Sequence, residues 1–138
     1  MADNSLLCSK YIQTILEENE EVKTILGTDQ HKIFPLLQPD KLAFPFIVHS
    51  RVSLTTRYTK NLPLGFGWTN EATYAVTCVS NDYIQCIELA NAVRHALEGY
   101  QWKDENIHIE PIELQQVSEY TIDDTTFVEE LQFRLQIT

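Results

Sequence analysis

Apolar residues recur along this chain with two periods, one helical and one of two. From about Leu6 to Glu18, Leu7, Tyr11, Ile15 and Leu16 fall near one face at helical spacing. Asn4 or Ser5 is placed to cap that helix. Glu20, Glu21, Val22, Ile25 and Leu26 predict one or two further turns, ended by Gly27. Lys32 to Leu36 reads as a short strand, held to an edge or ended by Pro35 and Pro39. The period then drops to two. Phe46, Val48, Val52, Leu54 and Tyr58 alternate with His49, Arg51, Ser53, Thr55 and Arg57, which predicts a long half-buried strand. Asn61 to Asn70, with Pro63, Gly65 and Gly67, predicts a loop. Ala72, Tyr74, Val76 and Cys78 resume the alternation on a return strand, so Phe44 to Ser80 reads as one hairpin.

Helical spacing returns after Asp82, which has Gln85 three residues on as a capping-box partner. Tyr83, Ile87, Ala90, Val93 and Leu97 form the expected core stripe, and Gly99 stops the helix. Ile107, Ile109 and then Ile112 to Ile122 predict extended chain, broken or bulged at Pro111. Asp123, Asp124 and Thr125 form a turn. Phe127, Leu131, Phe133, Leu135 and Ile137 then give a terminal strand with one apolar face. This order predicts an α+β fold. It would be a single domain over 1–138, an antiparallel-dominated sheet of about four to five strands, two main helices on one face, and a long hairpin arm.

A chain of 138 residues suits one domain and needs no metal or disulfide to hold it. Its composition, 43% hydrophobic and 22% charged, excludes wholesale disorder. The net charge of −10 disfavours sequence-reading nucleic-acid binding, because phosphates repel it. Cys8, Cys78 and Cys86 are odd in number and lack C-x-x-C spacing, so buried thiols are expected rather than a disulfide framework. There is no signal-peptide pattern at the N-terminus and no apolar run of membrane-spanning length. An intracellular, soluble protein is the expectation.

Motifs for catalysis are absent. His31, His49, His95 and His108 are scattered without zinc-ligand spacing, and His49 is expected to point outward from its strand. Gly65-Phe66-Gly67 lacks the Lys-Ser/Thr of a phosphate loop, and there is no G-x-S-x-G elbow. Glu129 and Glu130 are expected on opposite faces of the last strand. No catalytic, cofactor or metal-binding residues are assigned.

Charge changes the picture more than any motif. Lys41 to Asn70 contains no acidic residue but carries Lys41, Arg51, Arg57 and Lys60. Asp104 to Thr138 reverses the balance, with Arg134 alone against a series of carboxylates. The tip of the hairpin is rich in Leu62, Leu64, Phe66 and Trp68, residue types suited to an interface or to folding back on the core. Arg57, Tyr58, Lys60, Leu64, Phe66 and Trp68 are the candidate subunit-interface residues. Glu113, Glu119, Asp123, Asp124 and Glu129 are candidates for an acidic counter-surface, or for the lining of a channel.

Several segments together resemble the tail-completion or tail-terminator proteins of long-tailed bacteriophages and prophages. They are the first helix leading to Gly27 and Ile33-Phe34-Pro35; Phe44-Pro45-Phe46-Ile47-Val48; Tyr74 to Val79 entering the helix Ile84 to Leu97 with Gly99; and the closing Leu131, Phe133, Leu135, Ile137. The likeness covers nearly the whole chain, and the I-F-P and F-P-F-I-V pair is its most telling part. It implies a small structural subunit, not an enzyme, that closes into a homo-oligomeric ring, commonly a hexamer. The ring would complete the tail tube and join it to the head connector in the virion, with DNA passing through and no cofactor or membrane involved. The composition of the arm loop departs from the family pattern. A head-side stopper or adaptor ring is the alternative within the class, and a small ligand-binding or enzymatic α+β domain the alternative outside it.

Overall fold

The computed structural model describes residues 4–27, 32–36, 44–59 and 67–138; for Tyr58, Thr59, Gly67 and Trp68 it describes the backbone. His31, Pro39, Lys41, Lys60, Leu62, Leu64 and Phe66 lie outside the described residues. After a 3-10 turn at Ser5–Leu7 come helices α1 (Cys8–Glu18) and α2 (Glu20–Leu26). Asn19 separates them: its side chain accepts a 3.0 Å hydrogen bond from the Val22 N–H and starts the second helix. Asn4 does not cap α1. Its amide donates instead to the Asn106 carbonyl at 2.8 Å. Cys8, Tyr11, Ile12, Ile15 and Leu16 are buried, whereas Leu7 is exposed because the 3-10 turn takes it off the α1 stripe.

Among the described residues, seven strands follow around helix α3 (Tyr83–Leu97): β1 (Ile33–Pro35), β2 (Phe46–Thr59), β3 (Gly67–Ser80), β4 (Trp102–Lys103), β5 (His108–Ile109), β6 (Glu113–Asp123) and β7 (Thr126–Ile137). Their order is β1-β2-β3-β7-β5-β4, with β6 paired to β7. The expected α+β class and hairpin hold. Every pairing is antiparallel except the edge pair β1–β2, which is parallel. The sheet has more strands than the four to five expected because β4 and β5 are two residues each, too short to display a period. Strand β3 also begins at Gly67, earlier than the loop reading placed it.

One irregularity rearranges β2. Its register against β3 shifts between Arg51 and Ser53, so Val52 is a bulge residue, 58% exposed. Before the bulge, Ile47 and His49 face the helices; after it, Leu54 does. A single unbroken alternation therefore assigned the wrong side to the first half of the strand. Phe46 and Val48 lie on the opposite face in a small cluster with Val79, Val128 and Phe34.

Asp82 caps α3, accepting from the Ile84 and Gln85 N–H groups at 3.0 and 3.3 Å. Gln85 does not reach back to complete the box. Ser80 Oγ donates to Gln85 Oε1 at 2.8 Å and accepts from the Asp82 N–H at 3.1 Å. The buried stripe of α3 is Cys86, Leu89, Ala90, Ala92, Val93, Ala96 and Leu97. Tyr83 and Ile87, expected in it, are partly exposed because the helix is rolled toward its small residues. Gly99 takes φ +79, a left-handed turn that favours glycine, and its N–H donates to Ile112 O at 2.7 Å. That bond links the end of α3 to the segment entering β6.

Candidate functional site

The two ends of the sheet carry opposite charge. At one end, β1 pairs with β2 at Ile47 to His49, and no described strand pairs with the outer edge of β2 from Ser50 onward. That stretch holds Arg51 and Arg57 and no carboxylate. Arg51 donates to the Leu6 carbonyl at 3.1 Å; Arg57 is exposed and stands opposite Thr69. Tyr58 and Trp68 are cross-strand partners in the backbone register, so the base of the arm is a paired ribbon. Lys60, Leu64 and Phe66, the other candidate interface residues, lie outside the described residues.

At the other end, β6 pairs with β7 along one edge, and no described strand pairs with its other edge. From Gln115 to Asp123 every β6 residue is exposed, on both faces. Glu113, Glu119 and Asp123 lie on it, with Asp124 in the turn that follows. Asp123 Oδ1 accepts from the Thr125 N–H at 2.9 Å, and hydrogen bonds from Thr125 and Thr126 hold its carboxyl below its usual range. Val117, Tyr120 and Ile122 are 48%, 46% and 64% exposed, an unusual load of apolar side chains for an edge strand. The sequence reading missed this edge. Its signal was present, because Glu113 to Asp123 lacks any strict apolar alternation and so predicts no buried face.

Glu129 differs from the other candidate carboxylates: it is 7% exposed and faces Glu119 across the β6–β7 pair. Burial first, then hydrogen bonding and charge from Glu119, push its carboxyl up to about 7. The Tyr83 hydroxyl donates to both oxygens of Glu119 at 3.0 Å, and the Tyr83 ring stands 5.5 Å from Phe127. Glu129 thus sits buried opposite Glu119 rather than in the solvent-facing acidic surface.

His49 is buried, 1% exposed, which corrects the outward orientation expected for it. The bulge at Val52 is the reason, since it places the odd-numbered positions before it under the helices. Its Nδ1 lies 2.6 Å from the Tyr74 hydroxyl and its Nε2 bonds Gln13 Oε1. Burial lowers its pKa to about 4 and raises that of Tyr74 to about 12, so His49 is neutral and structural. Burial likewise pushes up the thiols of Cys8, Cys78 and Cys86, the opposite of what a nucleophile needs. Among the described residues, no group of three or more His, Cys, Asp or Glu is placed to hold a metal ion, and no helix is long and apolar enough to cross a membrane.

No family model and no curated protein matches this chain. Among solved structures it is similar to a chain in the virion of a native gene transfer agent particle, with a TM-score of 0.71 and 13% identity. The match covers 91% of this chain and 90% of that one. At that identity the likeness is one of fold, and it spans nearly the full length of both chains.

Proposed function

We propose that this chain is a structural, non-enzymatic subunit of a phage-type virion, which closes into a ring at the end of the tail tube. The ring, most simply a hexamer, completes the tail and joins it to the head connector. The observation that carries this reading is the fold likeness to a virion chain over nearly the full length of both. The charge pattern supports it independently. A ring needs one heterologous interface repeated until it closes, and a sheet with a basic flank and an acidic flank supplies two complementary surfaces.

In this reading Arg57, Tyr58, Lys60, Leu64, Phe66 and Trp68 engage the neighbouring copy. Glu113, Glu119, Asp123 and Asp124 receive them, or face the channel. Carboxylates toward the channel would suit DNA transit, since duplex DNA carries a charge about every 1.7 Å and an acidic wall does not grip it. The tail tube protein and the head connector proteins are the partners above and below.

Light scattering and negative-stain imaging of the purified protein, alone and with tail tubes, test the proposal. The expected result is a mass several times 16.0 kDa or binding at tube ends. A monomer that assembles under neither condition would overturn it. Replacing Trp68 by Ala should lower assembly with little loss of folding stability. A stability loss of roughly 3 kcal/mol or more would instead show Trp68 to be core.

A further inference from the structure

We propose that the two open edges of the sheet pair with each other between copies. Strand β2 of one copy, from Ser50 to Arg57, adds antiparallel to β6 of the next, from Glu113 to Tyr120. This rests on the ring reading and specifies its interface.

Strand direction permits it without adjustment. β2, β3, β7 and β6 are joined by three successive antiparallel pairings, so β6 runs opposite to β2. Copies related by a head-to-tail rotation keep that sense, and an incoming β2 meets β6 in the antiparallel arrangement used throughout the sheet. The far end of β2 is closed to such addition by β1, which occupies Ile47 to His49 and ends at Pro35.

Charge fixes the register. Arg51 and Arg57 are six positions apart, as are Glu113 and Glu119. Each interval contains one bulge, between Arg51 and Ser53 in β2 and between Leu114 and Gln116 in β6. Arg51 opposite Glu119 therefore places Arg57 opposite Glu113. The faces agree as well. Glu119 pairs with Glu129, in phase with the buried Leu131, and so stands on the helix side, as does Arg51, in phase with His49 before the bulge. Glu113 pairs with Arg134, out of phase with the buried residues of β7, and so stands on the other side. Arg57 follows Leu54 by an odd number of residues and shares that side. Val117, half exposed in one copy, falls opposite Leu54 of the next, which covers apolar surface on both. Arg51 keeps donors to spare beyond its bond to Leu6, since a guanidinium has five N–H groups.

Charge reversal and crosslinking in the full chain test the pairing. Arg57→Glu and Glu113→Arg alone should each weaken assembly roughly tenfold or more. The double variant should restore it, and Arg57→Glu with Glu119→Arg should not. Thr55→Cys with Gln116→Cys, directly opposite in this register, should give a ladder of reducible covalent multimers under mild oxidation. Thr55→Cys with Thr121→Cys should give little. If the wild type assembles but neither rescue nor the ladder appears, the edge pairing is overturned and the ring reading stands. If the wild type assembles neither alone nor with tail tubes, the ring reading falls and the pairing with it.

Discussion

His49 and Glu129 are two buried titratable residues with opposite effects on stability. The pKa of His49 is lowered by folding from 6.5 to about 4, so the unfolded chain binds its proton first, and stability falls as pH drops from about 6.5 to about 4. That of Glu129 is raised from 4.5 to about 7, so the folded chain holds the proton longer, and stability falls as pH rises from about 4.5 to about 7. The windows overlap and the slopes oppose. Thermal melting of the wild type should therefore depend weakly on pH between about 4.5 and 6.5. Glu129→Gln should expose a midpoint that rises with pH in that range, and His49→Leu one that falls. His49→Leu should also cost roughly 1–3 kcal/mol, since it removes the bonds to Tyr74 and Gln13 from a buried network. The burial of His49 was hidden in the sequence by one extra residue three positions away. The buried carboxyl of Glu129 was hidden because strand pairing, which brings Glu119 to it, joins positions ten apart.

At the scale of elements, the legible parts were those with local signals. α3 carries its cap at Asp82 and its stop at Gly99, and the β2–β3 hairpin carries long alternation on both sides of a segment whose sequence is rich in Gly and Pro. Asp82→Ala should lower stability by about 1 kcal/mol in chemical denaturation, the usual cost of a lost N-cap. The bulge was not legible, because alternation across Val52 continues plausibly in either phase. Its role can be tested by deletion. Removing Val52 should leave Leu54 opposite Ala72 and against the core, because Arg51 and Ser53 already pair with consecutive residues of β3, and should cost little stability. A loss of roughly 2 kcal/mol or more, the burial of one Leu side chain, would show instead that the bulge itself is needed to seat Leu54. The short strands β4 and β5 had no signal of their own. Trp102 reaches Tyr11 at 4.9 Å and Ile109 pairs with Ile137, both contacts that only the tertiary fold creates.

For the whole molecule, the segregation of charge was visible in the sequence, whereas the fact that it falls on opposite edges of one sheet was not. The strand order is the missing information: β6 is far along the chain from β2 yet runs beside the same four-strand body. Assembly by these flanks should weaken as salt rises from low ionic strength past about 0.15 M, where screening acts over roughly 8 Å. Arg57→Glu with Lys60→Glu should reduce assembled mass by light scattering more than it changes the melting midpoint. Equal assembly in the double variant would exclude a basic arm as the contact.

Opposite charge at opposite edges also makes each copy an electric dipole lying roughly along the sheet. Arranged head to tail around an axis, such moments sum to zero in the plane of the ring. An incomplete arc keeps a net moment, with one positive and one negative tip. The gap in an unfinished ring is then the place of strongest field, and it draws in the last copy oriented to fit. Once the circle closes, that pull on further copies vanishes.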